Sequence, residues 1–231
     1  MRKCMLIFFA VLMITGTAAA EVGFKGRPII NNISEPTGHT LNKGEFIIGI
    51  GSIGFGITDR VQVGTNILLF LVQVSNANIR VNLLQNSTSA FTVGMSFNNF
   101  NLSVFGEDVG FTSFSPFASF TADIGNGTAF TVGGKYASFS STEDADIEDA
   151  EASASSSGTT IFAGIDYSMS HKTKFLAEAG YDVTFKGMRI GGAVLFGWEK
   201  FRLKLGVNYF GAEGTNGFTM PIVGLWWRFD A

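Results

Sequence analysis

The sequence predicts an all-β fold: an antiparallel transmembrane β-barrel of twelve strands, with ten as the alternative. Three observations predict it. Apolar residues recur with period two in one segment after another. Most of these segments are about 10 to 13 residues long, where soluble strands average about 5–6 and a tilted membrane strand needs about 9–11. Beyond residue 20 the longest apolar run is Ile67 to Val72, far short of a spanning helix.

The alternation is plain in four places. Phe201, Leu203, Leu205, Val207 and Tyr209 alternate with Arg202, Lys204, Gly206 and Asn208. Ala77 to Leu83 and Phe91 to Phe97 behave likewise, as does Phe175 to Val183 with Leu176 as the exception. Successive strand side chains point to opposite faces, so each segment has one apolar and one polar face. Strands are expected near 45–56, 61–72, 74–84, 89–103, 111–124, 128–140, 159–169, 173–184, 188–198, 201–210 and 217–229. A bacterial barrel has an even number, so a twelfth strand is expected within 27–42.

The N-terminus is a separate matter. Arg2 and Lys3 precede the apolar run 5–14, and Ala18, Ala19 and Ala20 follow it. That is the pattern of a cleaved secretory signal peptide over 1–20. Cys4, the only cysteine, falls within it, which leaves no disulfide and no Cys-based metal site. Sixteen basic and 19 acidic residues, two of the basic ones being Arg2 and Lys3, leave an acidic mature chain. Nucleic acid is not expected as a partner, because it needs a basic patch. Residues 21–42 form an N-terminal segment, a first strand or a plug. Residues 43–231 form the barrel.

Large rings near strand ends match the aromatic girdles of membrane barrels; Trp198, Tyr209, Trp227 and Phe229 are the candidate interface aromatics. Short connections at 58–60, 85–89, 125–127, 170–173 and 199–200 alternate with a side that includes the longer loops 104–110, 141–158 and 211–216. Short periplasmic turns and longer outer loops are the outer-membrane arrangement. With this ordering Phe229 is periplasmic and the start of 45–56 lies outside.

Residues 45–64, EFIIGIGSIGFGITDRVQVG, resemble the strand–T-D-R–strand hairpin of outer-membrane transporters of the phenol-degradation MetA-pathway type. The resemblance implies a barrel and passage of small hydrophobic molecules, and brings no catalytic residues. The C-terminal alternation Val223, Leu225, Trp227, Phe229 resembles the signal read by the barrel-assembly machinery, although Asp230 and Ala231 follow the usual terminal aromatic.

Site chemistry is sparse. Gly49-Ile50-Gly51-Ser52-Ile53-Gly54 matches G-x-G-x-x-G, but a dinucleotide site needs a helix after it, and here the glycines lie within a strand. The two histidines, His39 and His171, are not placed as a general base near an outer rim, so the chain is read as a non-enzyme with no cofactor. The acidic outer loop 141–158 reads as a solvated loop. Asp144, Asp146 and Glu148 are weak candidates for a divalent cation that would bridge to lipopolysaccharide. The polar face carries the lumen-lining candidates Arg80, Lys135, Asp166, Lys174, Glu178, Asp182, Arg189, Arg202 and Lys204, with Asp123 and Arg228 beside them.

The expected function is a narrow outer-membrane pore or transporter for small solutes, hydrophobic ones included, surrounded by membrane lipid in a Gram-negative envelope. The alternative is a non-conducting structural or surface-interaction barrel. A barrel enzyme acting on lipid is the third and weakest reading.

Overall fold

The structure is a computed structural model. It describes residues 28–50, 52–71, 73–104, 107–143, 152–214 and 216–229; the side chains of 101–104, 107–109, 142–143 and 152–154 fall outside the description. The signal peptide lies outside the described residues, as do the weak cation candidates Asp144, Asp146 and Glu148.

Twelve antiparallel strands close into one barrel. They are β1 (Phe46–Gly49), β2 (Ser52–Thr58), β3 (Val61–Thr65), β4 (Val74–Gln85), β5 (Ser89–Val104), β6 (Glu107–Gly125), β7 (Thr128–Glu143), β8 (Ala152–Ser170), β9 (Thr173–Asp182), β10 (Gly187–Gly197), β11 (Phe201–Ala212) and β12 (Phe218–Phe229). One short helix, α1 (Ile67–Leu71), lies between β3 and β4. Each strand pairs with its sequence neighbour, and β1 closes on β12 through Phe46↔Phe229 to Gly49↔Trp226.

The period-two pattern does what it predicts. Phe97, Phe120, Phe130, Ile161, Ile190 and Val223 all point outward and are exposed. Thr92, Ser119, Glu178, Arg202, Lys204 and Asn208 point inward and are buried. A continuous apolar outer band of this kind has hydrocarbon, not water, as its solvent. Leu176, the break in the alternation, takes an inward position and is fully buried, packed with Ala193 and Leu195.

Several boundaries differ from the sequence reading. The twelfth strand does not come from 27–42; it comes from division of 45–56 into β1 and β2. Gly49 makes the division possible, since a Cβ there would meet the Leu225 carbonyl oxygen at 2.3 Å. This reverses the direction of the first strand. Phe46 lies beside Phe229 at the short-turn end, not at the opposite end.

The expected strand 61–72 stops at Thr65. Its apolar run has no alternation to hold it in a two-faced sheet, and Asn66 caps a helical turn by accepting the Leu68 N–H at 3.1 Å. Asn76 holds Asn66 from β4, accepting its N–H at 2.5 Å and donating to its carbonyl at 2.8 Å. Gln73, at φ 61°, ends the turn.

The long-loop side is also more regular than expected. β5 and β6 pair from Val104↔Glu107 onward, and β7 and β8 from Glu143↔Ala152 onward. Residues 141–143 and 152–158 are therefore strand, not loop. Phe139 and Ser140 of β7 lie across from Ser156 and Ser155 of β8.

Candidate functional site

The site is the barrel interior, and it is built around residues 28–45. These do not join the sheet. They run through the lumen as a folded-back segment, with Ile29, Ile33 and Leu41 buried and Asn32, Glu35, Thr37, Thr40 and Glu45 buried beside them. A tight turn organises its tip. Asn32 N–H donates to the Glu35 carbonyl at 2.9 Å, and Thr37 N–H to the Ile30 carbonyl at 3.0 Å. The turn leaves three successive N–H groups pointing one way, a small anion-binding concavity.

Glu178 of β9 fills that concavity. Its Oε2 accepts the N–H of Ile33 at 3.0 Å, of Ser34 at 3.0 Å and of Glu35 at 2.9 Å. Its Oε1 accepts the Ser34 hydroxyl at 2.6 Å and lies 3.2 Å from Arg189 Nη2. The Glu35 side chain reaches past it to a pair of cations, bonding to Lys135 Nζ at 2.6 Å and to Arg189. Buried carboxylates are tolerated because each is paired and hydrogen-bonded.

The other inward cations grip the segment's carbonyls. Lys204 Nζ donates to Asn32 O at 2.7 Å and Ile33 O at 2.8 Å. Arg80 donates to Ile30 O at 2.7 Å and Asn31 Oδ1 at 2.7 Å, its guanidinium over Phe117. Arg228 donates to Pro28 O at 2.9 Å and pairs with Glu45. Lower down, Gly38 sits against the wall. Its N–H donates to Thr121 Oγ1 at 2.8 Å, and its carbonyl accepts from Asn82 Nδ2 at 2.8 Å and Thr92 Oγ1 at 2.6 Å. A Cβ there would fall 2.2 Å from the Ala90 carbonyl oxygen. The glycine-rich stretch serves the same end, for a Cβ at Gly56 would meet Asn42 O at 1.9 Å. Close backbone approach explains Gly49 and Gly56.

The remaining sequence-predicted residues lie away from this contact. Lys174 pairs with Asp166 at 2.5 Å on neighbouring strands. Asp182 accepts the Thr160 hydroxyl at 3.1 Å and caps the β9–β10 turn through the N–H groups of Thr184 and Phe185. Arg202 bonds the carbonyls of Trp198 and Phe201 at the short-turn end. Trp198, Phe201 and Trp227 form a ring cluster at that end, with centroids 5.4 and 5.2 Å apart, and Phe229 stacks on Phe46. Tyr209 is exposed near the opposite end.

Sequence reasoning missed Glu35, Glu45, Asn32 and Ser34. One signal pointed to them: the inward strand positions carry more cations than carboxylates, and the N-terminal segment holds two unassigned glutamates. His39 lies in the segment, and its Nδ1 has no partner among the described residues. Burial, and then the charge of Lys174, push its pKa from 6.5 down to about 4. His171 sits in the exposed β8–β9 turn. Among the described residues no three His, Cys, Asp or Glu side chains group as metal ligands would.

Two cavities border the segment and its contacts. A vestibule of about 260 Å³ opens to the loop end above Glu35 and is lined by Lys135, Thr160, Asp182, Arg189 and Phe210. A second, of about 190 Å³, lies beside the segment against Ile29, Ile33, Leu195, Ile222 and Trp226.

No family model matches the chain, and no curated protein matches it. Solved structures do. A KdgM porin, solved in complex with disordered oligogalacturonate, is 13% identical at a TM-score of 0.48, covering 80% of this chain and 96% of its own. OmpT, an outer membrane protein of Vibrio cholerae, is 14% identical at 0.39, covering 77% and 62%. Ail, the attachment invasion locus protein of Yersinia pestis, is 13% identical at 0.28, covering 82% and 100%. All three likenesses concern the fold.

Proposed function

We propose that this chain is a Gram-negative outer-membrane barrel that passes small solutes, hydrophobic ones among them, through a narrow lumen plugged by residues 28–45. One observation carries the reading. A single continuous segment, residues 28–45, runs through the lumen and is held by polar side chains of the wall, with wall-to-wall pairs such as Lys174–Asp166 beside it. Small barrels without a passage are filled by their own inward side chains. Here the inward positions include Asn82, Thr92, Ser119, Thr121 and Asn208, which would line a wet channel if the segment left.

Pro28 lies against Arg228 and residue 45 leads into β1, both at the short-turn end, so the described segment folds back with both of its ends on the periplasmic side. The vestibule above Glu35 faces the outside. Solute entering there meets Lys135 and Arg189 first. The barrel-assembly machinery would read the β12 terminus, and the acidic stretch around Asp144 to Glu148 would meet lipopolysaccharide through divalent cations. No catalytic role is assigned: His39 is a half-buried residue of the plug itself and His171 sits in an exposed turn.

The test is conductance in a planar bilayer, with the full chain beside a form lacking residues 28–42. The full chain should give small or rare events, and the deletion should give discrete, repeatable steps. A folded deletion that stays silent would discard the passage and leave a structural or surface-interaction barrel.

A further inference from the structure

The barrel wall is not the same height all round. β6 and β8 have 19 residues each, whereas β1 has 4, β2 has 7 and β3 has 5. A membrane strand needs about 9–11 residues, so three adjacent strands stop part-way across the hydrocarbon. The consequence falls on β12. Among the described residues, its last bond to the β1 side is from Ile50 N–H to the Leu225 carbonyl at 2.9 Å. Among the described residues, 218–224 of β12 pair with β11 alone.

That edge is shaped for being unpaired. The Ile50–Leu225 bond shows that odd-numbered residues of β12 direct their backbone groups toward the gap. Pro221 is one of them and has no N–H to leave orphaned there. In lipid an open sheet edge is tolerated only where it lines a cavity. It does line one. The 190 Å³ cavity is bordered by the hydrogen-bonded cations Arg202, Lys204 and Arg228 on one side, by inward-facing Ile222 and Trp226 and by Ile29 and Ile33 of the plug on the other, and also by Ile50 and Val223. Those last two are outward-facing, 56% and 62% exposed. The cavity's lining therefore takes in residues of both the interior face and the outer face beside Ile50. The far flank is apolar too: Leu68, Phe70 and Leu71 of α1 are exposed.

We infer that this notch is a lateral portal, through which a small apolar solute, one aromatic ring or a short alkyl chain, moves between the cavity beside Trp226 and the bilayer. The size fits, since an apolar cavity of about 150 Å³ takes up benzene. The inference rests on the reading of the barrel as a solute passage.

The test uses tryptophan fluorescence of the full, refolded chain. In a Trp198→Phe, Trp227→Phe background only Trp226 emits. Although Trp226 faces inward, lipids brominated on their acyl chains should quench it, nearly as well as they quench lipid-facing Trp227 in a matched Trp198→Phe, Trp226→Phe chain. In detergent, bromobenzene should quench Trp226 saturably. Filling the cavity by Ile222→Phe, or from the opposite strand by Ser52→Phe, should weaken that binding about tenfold or more. Two variants on different strands guard against one failing to fold. No quenching by brominated lipid would mean a closed wall and overturn the portal. Quenching by lipid without saturable bromobenzene binding would mean that an acyl chain fills the notch and would overturn the solute site. A silent plug deletion would remove the passage reading while leaving these fluorescence results to stand by themselves.

Discussion

At the scale of single residues, Glu178 bears the most weight. Three backbone N–H groups, one hydroxyl and one guanidinium converge on a carboxylate that is 3% exposed. Removing it leaves the buried N–H donors of Ile33 and Glu35 without their acceptor and leaves Arg189 with Glu35 alone. Breaking a buried pair from one side costs about 3–5 kcal/mol. Glu178→Ala should therefore release the tip of the segment and raise open-channel events, with the barrel itself intact by heat-modified gel mobility. Glu178→Gln keeps an acceptor and should fall between. Gly38 gives a steric counterpart. Gly38→Ala places a methyl against the Ala90 carbonyl, and overpacking of this sort costs about 1–3 kcal/mol. It should loosen the lower half of the segment, read as faster proteolysis of residues 28–45 with the strands still protected.

At the scale of the element, the proposed plug should dock in a pH-dependent way through His39. The docked side chain stays neutral down to about pH 4, whereas a released one titrates near 6.5. Between those values the released segment binds more protons than the docked one. Docking is thus at full strength above pH 6.5 and weakens as pH falls toward 4, by up to about 3 kcal/mol. Open events should become more frequent over that window, and His39→Gln should remove the trend. A flat profile in the parent chain would assign the plug's hold to its permanent ion pairs alone.

At the scale of the whole molecule, closure is what makes the sheet viable in lipid. Every strand has a partner on both sides for at least part of its length, so few backbone groups face hydrocarbon. Stability of the wall and occupancy of the lumen are then separable. Deletion of 28–42 removes contacts made by inward side chains but none of the strand ladders. The deleted form should keep the heat-modifiable shift of a folded barrel, with an unfolding midpoint lowered but cooperative. Loss of the shift would show that the segment is needed to close the barrel.

Some of this was determined by the sequence alone. Alternation between positions i and i+2 is local, so the strands, their outward apolar face and most inward polar residues could be read directly. Arg80, Lys135, Glu178, Arg189 and Lys204 stand at the polar positions of that alternation and bond to residues 30–35. Leu176 showed the limit, because an apolar residue at an inward position follows from what packs beside it and not from its neighbours in the chain. The split at Gly49 and the helical turn at Asn66 were likewise decided by partners, Trp226 and Asn76. Only the tertiary structure showed where residues 28–45 go. Ile33 and Glu178 are 145 positions apart. No local pattern marks a turn's free N–H groups as complementary to a distant carboxylate. The short wall at β1 to β3 is of the same kind: it exists only because β12 meets the chain's first strand and finds it four residues long.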